Sequence, residues 1–175
     1  VYGSHRRDPG EIHRETLTAV RLMQVFELKV PPVGVFLLAG AAMWGLAKLL
    51  PAAAFTLPAH TYLSVMLLLA GGAFAVPGIL AFYRHDTTVD PTRPAKATAL
   101  VISGVYRYTR NPMYLGLLLV LAAWFAYLAN VAAVLVLPVF VVYMNRFQIK
   151  PEERALQEKF GSSYTRYMSE VRRWL

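Results

Sequence analysis

Apolar residues gather in long blocks along this chain. The first block, Val33–Leu50, follows Pro31-Pro32, and the second, Tyr62–Phe82, is interrupted by Gly71-Gly72 and by Pro77-Gly78. A third run reaches from Pro112 to about Met144. As one helix that run would rise roughly 50 Å, well beyond a hydrocarbon core of about 30 Å. Asn130 is the strongly polar side chain near its middle, so a tight helical hairpin turning there is expected. Blocks of this length predict an all-α, polytopic membrane helical bundle with about four transmembrane helices, the last two forming the hairpin. Ahead of the first block, residues 11–29 place Ile12, Leu17, Val20, Met23, Val25 and Phe26 at loosely helical spacing. That spacing predicts an amphipathic, interfacial helix leading into the first span.

The basic residues orient this bundle. Residues 1–32, the connection 83–111 and the tail from 145 onward hold 17 of the 18 lysines and arginines, with Lys48 the exception. Four spans put those three segments on one face, which the positive-inside rule makes cytoplasmic. Three spans would put the tail opposite the connection and lose the bias. All ten acidic residues lie in the same three segments. The chemistry is therefore expected at the cytoplasmic end, assembled from the 83–111 connection and the tail, with both termini on that side. The expected organisation is a cytoplasmic or interfacial segment over 1–32, two transmembrane scaffold helices over 33–82, and a chemically active core over 83–175.

Composition agrees with a membrane protein. Hydrophobic residues make up 57% of the chain and charged residues 16%, against roughly 45–50% and about 25% in soluble domains. A net charge of +8 would suggest nucleic acid in a soluble protein. Here the basic residues flank apolar runs, so anionic lipid headgroups are the expected partner and nucleic acid is not. The absence of cysteine excludes disulfides, thiolate metal sites and cysteine nucleophiles. The four histidines show no i,i+4 pairing, and no metal site is expected.

Two stretches carry candidate chemistry. Residues 104–116 read GVYRYTRNPMYLG. Asn111 is a good N-cap and Pro112 suits a first helical position, so a helix is expected to begin there. Its free N–H groups and positive dipole end would face the cytoplasmic pocket, ready for a carboxylate or phosphate. The plainer alternative is a well-capped helix with aromatic and arginine anchors at the membrane surface. The tail from Gln148 reads QIKPEERALQEKFGSSYTRYMSEVRRWL. Pro151 suits another helix start, with Glu152 and Glu153 in a first turn where negative charge is favoured. Dipole compensation explains that pair as well as chemistry does. Tyr164 and Tyr167 share one face of a following helix, after a break at Gly161.

The combination SGVYRYTRNPMYLG, a helical hairpin, then PEERALQEKFGSSYTRYMSEVRRW resembles the isoprenylcysteine carboxyl methyltransferase family. This broad group of integral-membrane methyltransferases also takes in phospholipid methyltransferase relatives. The resemblance covers roughly residues 85–174. It implies S-adenosylmethionine bound in a cytoplasm-facing pocket between the hairpin and the C-terminal segment, and a lipophilic methyl acceptor. Carried over by position, Thr98, Ala99, Leu100 and Val101 correspond to a strand-like stretch lining that pocket, and Tyr106 to a cofactor-contacting tyrosine. Arg110, Asn111, Pro112, Met113 and Tyr114 match an arginine-histidine-proline-x-tyrosine motif, with asparagine in place of histidine. Glu152 matches the cofactor-contacting glutamate. Arg110 and Glu153, its neighbours in the two motifs, are the expected catalytic pair. Where eukaryotic members place a substrate-contacting arginine, this chain has Gln148, with Arg146 or Lys150 as a nearby substitute; the departure bears on the acceptor more than on the cofactor.

The residue types suit that chemistry on their own terms. A helix N-terminus at Asn111–Met113 can hold the cofactor's carboxylate, and Glu152 can accept hydrogen bonds from ribose hydroxyls or the ammonium group. Tyr106 and Tyr114 can pack on adenine or face the sulfonium cation. Methyl transfer needs mainly alignment and desolvation, and a carboxylate or thiolate acceptor needs no general base. An amine acceptor must lose a proton, which Glu153 could take. Two other readings compete: a relative of the membrane sterol reductases using a nicotinamide cofactor, and a non-enzymatic scaffold or transporter subunit. Apart from Lys48 near the end of the first block, the apolar runs lack the charged residues that transport pathways usually show.

Overall fold

A computed structural model of the chain describes residues 27–56, 58–84 and 97–175. Five helices make up the described residues: α1 Pro32–Leu49, α2 His60–Arg84, α3 Pro112–Leu128, α4 Val131–Phe160 and α5 Ser162–Glu170. No strand occurs among them, only an isolated antiparallel bridge between Ala54 and Asn130. The fold is an all-α helical bundle. Helices α1, α2 and α4 are each long and apolar enough to cross a membrane, while α3 is apolar but has 17 residues. Seventeen residues rise about 25 Å, the short end of the spanning range. The expected interfacial helix over 11–29 lies outside the described residues except for its last three positions. Those form a turn in which Leu28 has a φ of +59°.

The hairpin forms where a polar residue interrupts the apolar run. Helix α3 ends on Ala129 in the left-handed conformation (φ +46°), and Asn130 caps α4 by accepting the Ala132 N–H at 3.0 Å. The Asn130 amide also donates to the Leu50 carbonyl at 2.9 Å, and the Phe55 N–H donates to the Ala129 carbonyl. This fully buried asparagine thus ties the hairpin turn to the α1–α2 connection.

Helix α2 continues through Gly71-Gly72 and Pro77-Gly78 without a break. Its small residues serve a close crossing instead. A Cβ added at Gly71 would stand 2.9 Å from the Gly116 carbonyl oxygen, and one at Gly116 would stand 2.7 Å from the Ala75 Cβ. A Cβ at Gly78 would meet the Met113 side chain at 3.1 Å and Pro112 at 3.3 Å. Between apolar helices in lipid, such backbone approach replaces the hydrophobic drive that water would supply.

Helix α4 differs from expectation at Pro151. An α-helical segment does begin at Lys150, with Pro151, Glu152 and Glu153 in its first turn, but it continues without a break from a π-helical turn at Met144–Ile149, so the chain is helical from Val131 to Phe160. Pro151 has no N–H for the carbonyl of Phe147 four residues back. That carbonyl accepts the Leu28 N–H at 3.0 Å. The segment before α1 is therefore seated against the π turn. The Gln148 side-chain amide donates to the Val30 carbonyl, and Arg146 and Arg154 both pair with Glu27.

Candidate active site

The site end of the bundle is built from the N-terminus of α3, the C-terminal half of α4, helix α5, the residues before α3 and the C-terminal tail. Residues 97–103 are irregular and leave Thr98 exposed, with Val101 buried. A short 3-10 turn, Gly104–Arg107, follows and starts on Gly104 at φ +62°. It places Tyr106 in a cluster with Val101, Tyr164 and Tyr167, against which Phe82 and Leu156 pack. The Tyr167 hydroxyl donates to the Tyr106 carbonyl at 2.7 Å, and the Phe82 ring meets the Tyr106 ring edge-on at 5.7 Å. Tyr164 and Tyr167 do share the buried face of α5.

Helix α3 begins at Pro112, with Asn111 at the N-cap position. The Asn111 side chain does not cap. Its amide instead donates to the Arg173 carbonyl at 2.9 Å, a carbonyl that also accepts the Thr109 hydroxyl at 3.2 Å. The expected cap is lost because a buried carbonyl of the tail competes for the asparagine. The first-turn N–H groups of α3 therefore receive no cap from the Asn111 side chain, and the positive end of the helix dipole is left without it.

The two adjacent glutamates meet different surroundings. Glu152 accepts the Tyr114 hydroxyl at 3.0 Å. Glu153 accepts Arg110 at 2.8 Å and Arg173 at 3.1 and 2.6 Å, so both its oxygens face guanidinium groups. Arg110 also donates to the carbonyls of Met168 at 3.0 Å and Val171 at 2.6 Å, while its backbone N–H bonds the Arg172 carbonyl. The tail Val171–Leu175 is thus held under α3 by one arginine, one asparagine and one threonine. Trp174 completes the attachment by donating from its indole to Asn145 on the π turn.

Tyr106 is 4% exposed, and its hydroxyl has no hydrogen-bond partner among the described residues. Burial, and then the nearby Glu152 carboxylate, push its pKa above the ordinary phenol value. The group therefore stays protonated and is a buried donor without an acceptor. Burial raises the Tyr164 and Tyr167 phenols in the same way. The Glu153 hydrogen bonds raise the Arg173 pKa further, keeping that guanidinium charged.

Of the residues singled out in the sequence, Tyr106, Asn111, Pro112, Met113, Tyr114 and Glu152 gather around the start of α3. Arg110 and Glu153 lie beside them in an ion-paired cluster with Arg173. Gln148 is fully buried on the π turn and its side-chain oxygen has no partner among the described residues, while Arg146 faces Glu27. Ala99 and Leu100 are partly buried in the irregular stretch. The sequence reading missed Thr109, Arg173 and Trp174. The basic pair Arg172-Arg173, against an acidic pair that needed countercharge, was the available signal. Among the described residues no three His, Asp or Glu side chains cluster as a metal would require.

The family model for phospholipid methyltransferases matches residues 59–163, more than half of the chain. The chain belongs to the phospholipid methyltransferase family. The matched region of this methyltransferase runs from the start of α2 through the hairpin to the start of α5, and so contains Tyr106, Asn111–Tyr114 and the glutamate pair. It stops before the tail that carries Arg173 and Trp174. An uncharacterized protein of Haemophilus influenzae is 51% identical over 63 residues, which are 36% of this chain and the whole of that protein. No solved structure matches the chain.

Proposed function

We propose that this integral membrane protein is an S-adenosylmethionine-dependent methyltransferase acting on a lipophilic acceptor at the cytoplasmic membrane face. One observation carries the reading: a buried, partnerless Tyr106 hydroxyl beside Glu152, at a helix start left uncapped. Buried polar groups are nearly always paired, so a donor in this position fits a polar ligand. The residues suit the cofactor's own groups. The N–H groups of Met113 and Tyr114 would take its carboxylate, Glu152 its ammonium group or ribose hydroxyls, and Tyr106 a remaining acceptor. When bound, it supplies an electrophilic methyl group on sulfur. The chain's part is to align that methyl with the acceptor and to exclude water.

In this reading Tyr114 orients Glu152, and Thr98–Val101 close the pocket beside Tyr106. Arg110 and Glu153 act as positioning residues, since their charged atoms are spent on Arg173 and the tail carbonyls. Gln148 offers its unpartnered oxygen toward the acceptor, and Arg146 holds the π turn in place through Glu27. Residues 83–175 form the methyltransferase core and 33–82 its membrane scaffold. Four spans with both termini cytoplasmic agree with 17 of 18 basic residues on one side.

Titration calorimetry on the purified chain tests the reading. S-adenosylmethionine or its demethylated product is expected to bind, and NADPH to give no signal. Binding of NADPH alone would replace the methyltransferase reading with the reductase one.

A further inference from the structure

The hairpin-turn end, opposite the candidate active site, carries a cleft of about 680 Å³ between α1 and α2, floored by α3. Both helices pack on α3 but scarcely on each other. Phe36, Gly40 and Trp44 of α1 face Val65 and Leu68 of α2 across it, with Trp124 of α3 at the base. The wall is almost wholly apolar, and two of its polar side chains are already used. The Ser64 hydroxyl donates to the His60 carbonyl at 2.8 Å, and the Trp124 indole to the Gly40 carbonyl at 3.2 Å. So apolar a wall gives a polar ligand few partners, and water would lose most of its own. At membrane depth the available occupant is hydrocarbon.

The rim adds a charge. Lys48, the single basic residue outside the three polar segments, holds its Nζ 5.9 Å above the ring of Trp44. No acidic residue occurs between Glu27 and Asp86 or between Asp90 and Glu152. The chain thus offers this lysine no carboxylate from α1, from α3 or from the hairpin turn. An apolar cleft one turn of helix from an uncompensated cation matches a lipid with a negative headgroup. We propose that the cleft is a binding site for one acyl chain of an anionic phospholipid in the leaflet at the hairpin-turn end, with the phosphate at Lys48. This site is independent of methyl transfer.

Two of the chain's three tryptophans, Trp44 and Trp124, line the cleft, so their fluorescence reads its occupancy. The full chain is placed in phosphatidylcholine nanodiscs, and phosphatidylglycerol or phosphatidylcholine with dibrominated chains is added as a minor component. Brominated phosphatidylglycerol is expected to quench at about fivefold lower mole fraction than brominated phosphatidylcholine, the preference one lysine near a surface supplies. Lys48→Gln, an exposed change, should bring the two lipids level. Gly40→Leu should lower quenching by both, because a side chain there meets nothing within 4 Å and enters the cleft. Equal quenching by both lipids in the wild type would overturn the proposal. So would quenching unchanged in Gly40→Leu, or quenching by neither lipid until dilution separates two copies of the chain.

Discussion

Helix α3 is held against α2 and against the C-terminal tail by opposite means. At the α2 crossing, Gly71, Ala75 and Gly116 bring backbone against backbone with no polar side chain involved. At the helix start, Thr109, Arg110 and Asn111 reach sideways into the C-terminal tail, and Glu153 gathers two arginines. Geometry specifies the first contact, because lipid tails compete with any larger apolar side chain and only close approach favours the helix pair. Charge and direction specify the second, where each donor needs one particular carbonyl or carboxylate. The crossing can therefore tolerate no added atom, and the tail attachment can tolerate no lost one.

The crossing should give the largest effect once a bulky side chain enters it. Gly116→Ala places a methyl 2.7 Å from the Ala75 Cβ and from the Gly71 carbonyl, and overpacking of this kind costs about 1–3 kcal/mol. Gly116→Leu should abolish a monodisperse folded species in detergent. An unchanged thermal midpoint for Gly116→Ala would mean that the helices stand further apart than the geometry shows.

The tail cluster comes next. Breaking a buried ion pair costs about 3–5 kcal/mol, and the Arg173 side chain is 33% exposed, so solvent screening brings Glu153→Gln nearer to about 2–3 kcal/mol. Arg173→Gln should cost less in Glu153→Gln than in the wild type, and a double-mutant cycle on thermal midpoints measures that coupling. Additive effects would detach the tail from Glu153.

Glu152 separates from its neighbour. Glu152→Gln should keep the midpoint nearly unchanged while weakening S-adenosylmethionine binding by about tenfold to a hundredfold, the range for a lost charge-assisted hydrogen bond. Calorimetry on Glu152→Gln and Glu153→Gln together decides the assignment. Equal, small changes at both positions would leave Glu152 outside the site.

What could be read in advance follows how local each signal is. Asn111-Pro112 marks a helix start through backbone restrictions of neighbouring residues, and α3 does begin at Pro112. Asn130 interrupts an apolar run, and the chain does turn there. Tyr164 and Tyr167 are three apart, so any helix puts them on one face. Pro151 does stand in the first turn of an α-helical segment, but nothing local tells that this segment continues directly from a π turn whose freed carbonyl finds an outside donor. That donor, the Leu28 N–H, lies 119 positions from Phe147, and no periodicity encodes such a distance. The same holds for Asn111 with Arg173 and for Glu27 with Arg146, so cap and tail chemistry emerge only from the folded arrangement.

Tyr106 sharpens the comparison with the smallest expected change. Its hydroxyl is a buried donor with no acceptor among the described residues, and an unmade hydrogen bond of that kind costs the free protein about 1–3 kcal/mol. Tyr106→Phe removes the donor and keeps the ring against Phe82, so the ligand-free midpoint should hold or rise. A hydroxyl that donates to bound cofactor contributes about 0.5–1.5 kcal/mol, and its loss should weaken S-adenosylmethionine binding by roughly two- to tenfold. The two readouts then move in opposite directions, which packing damage alone would not produce. Deprotonation offers no alternative explanation, because burial keeps this phenol above its ordinary pKa. A lower midpoint together with unchanged affinity would make Tyr106 a packing residue. It would also leave the uncapped start of α3 and Glu152 to hold the ligand by themselves.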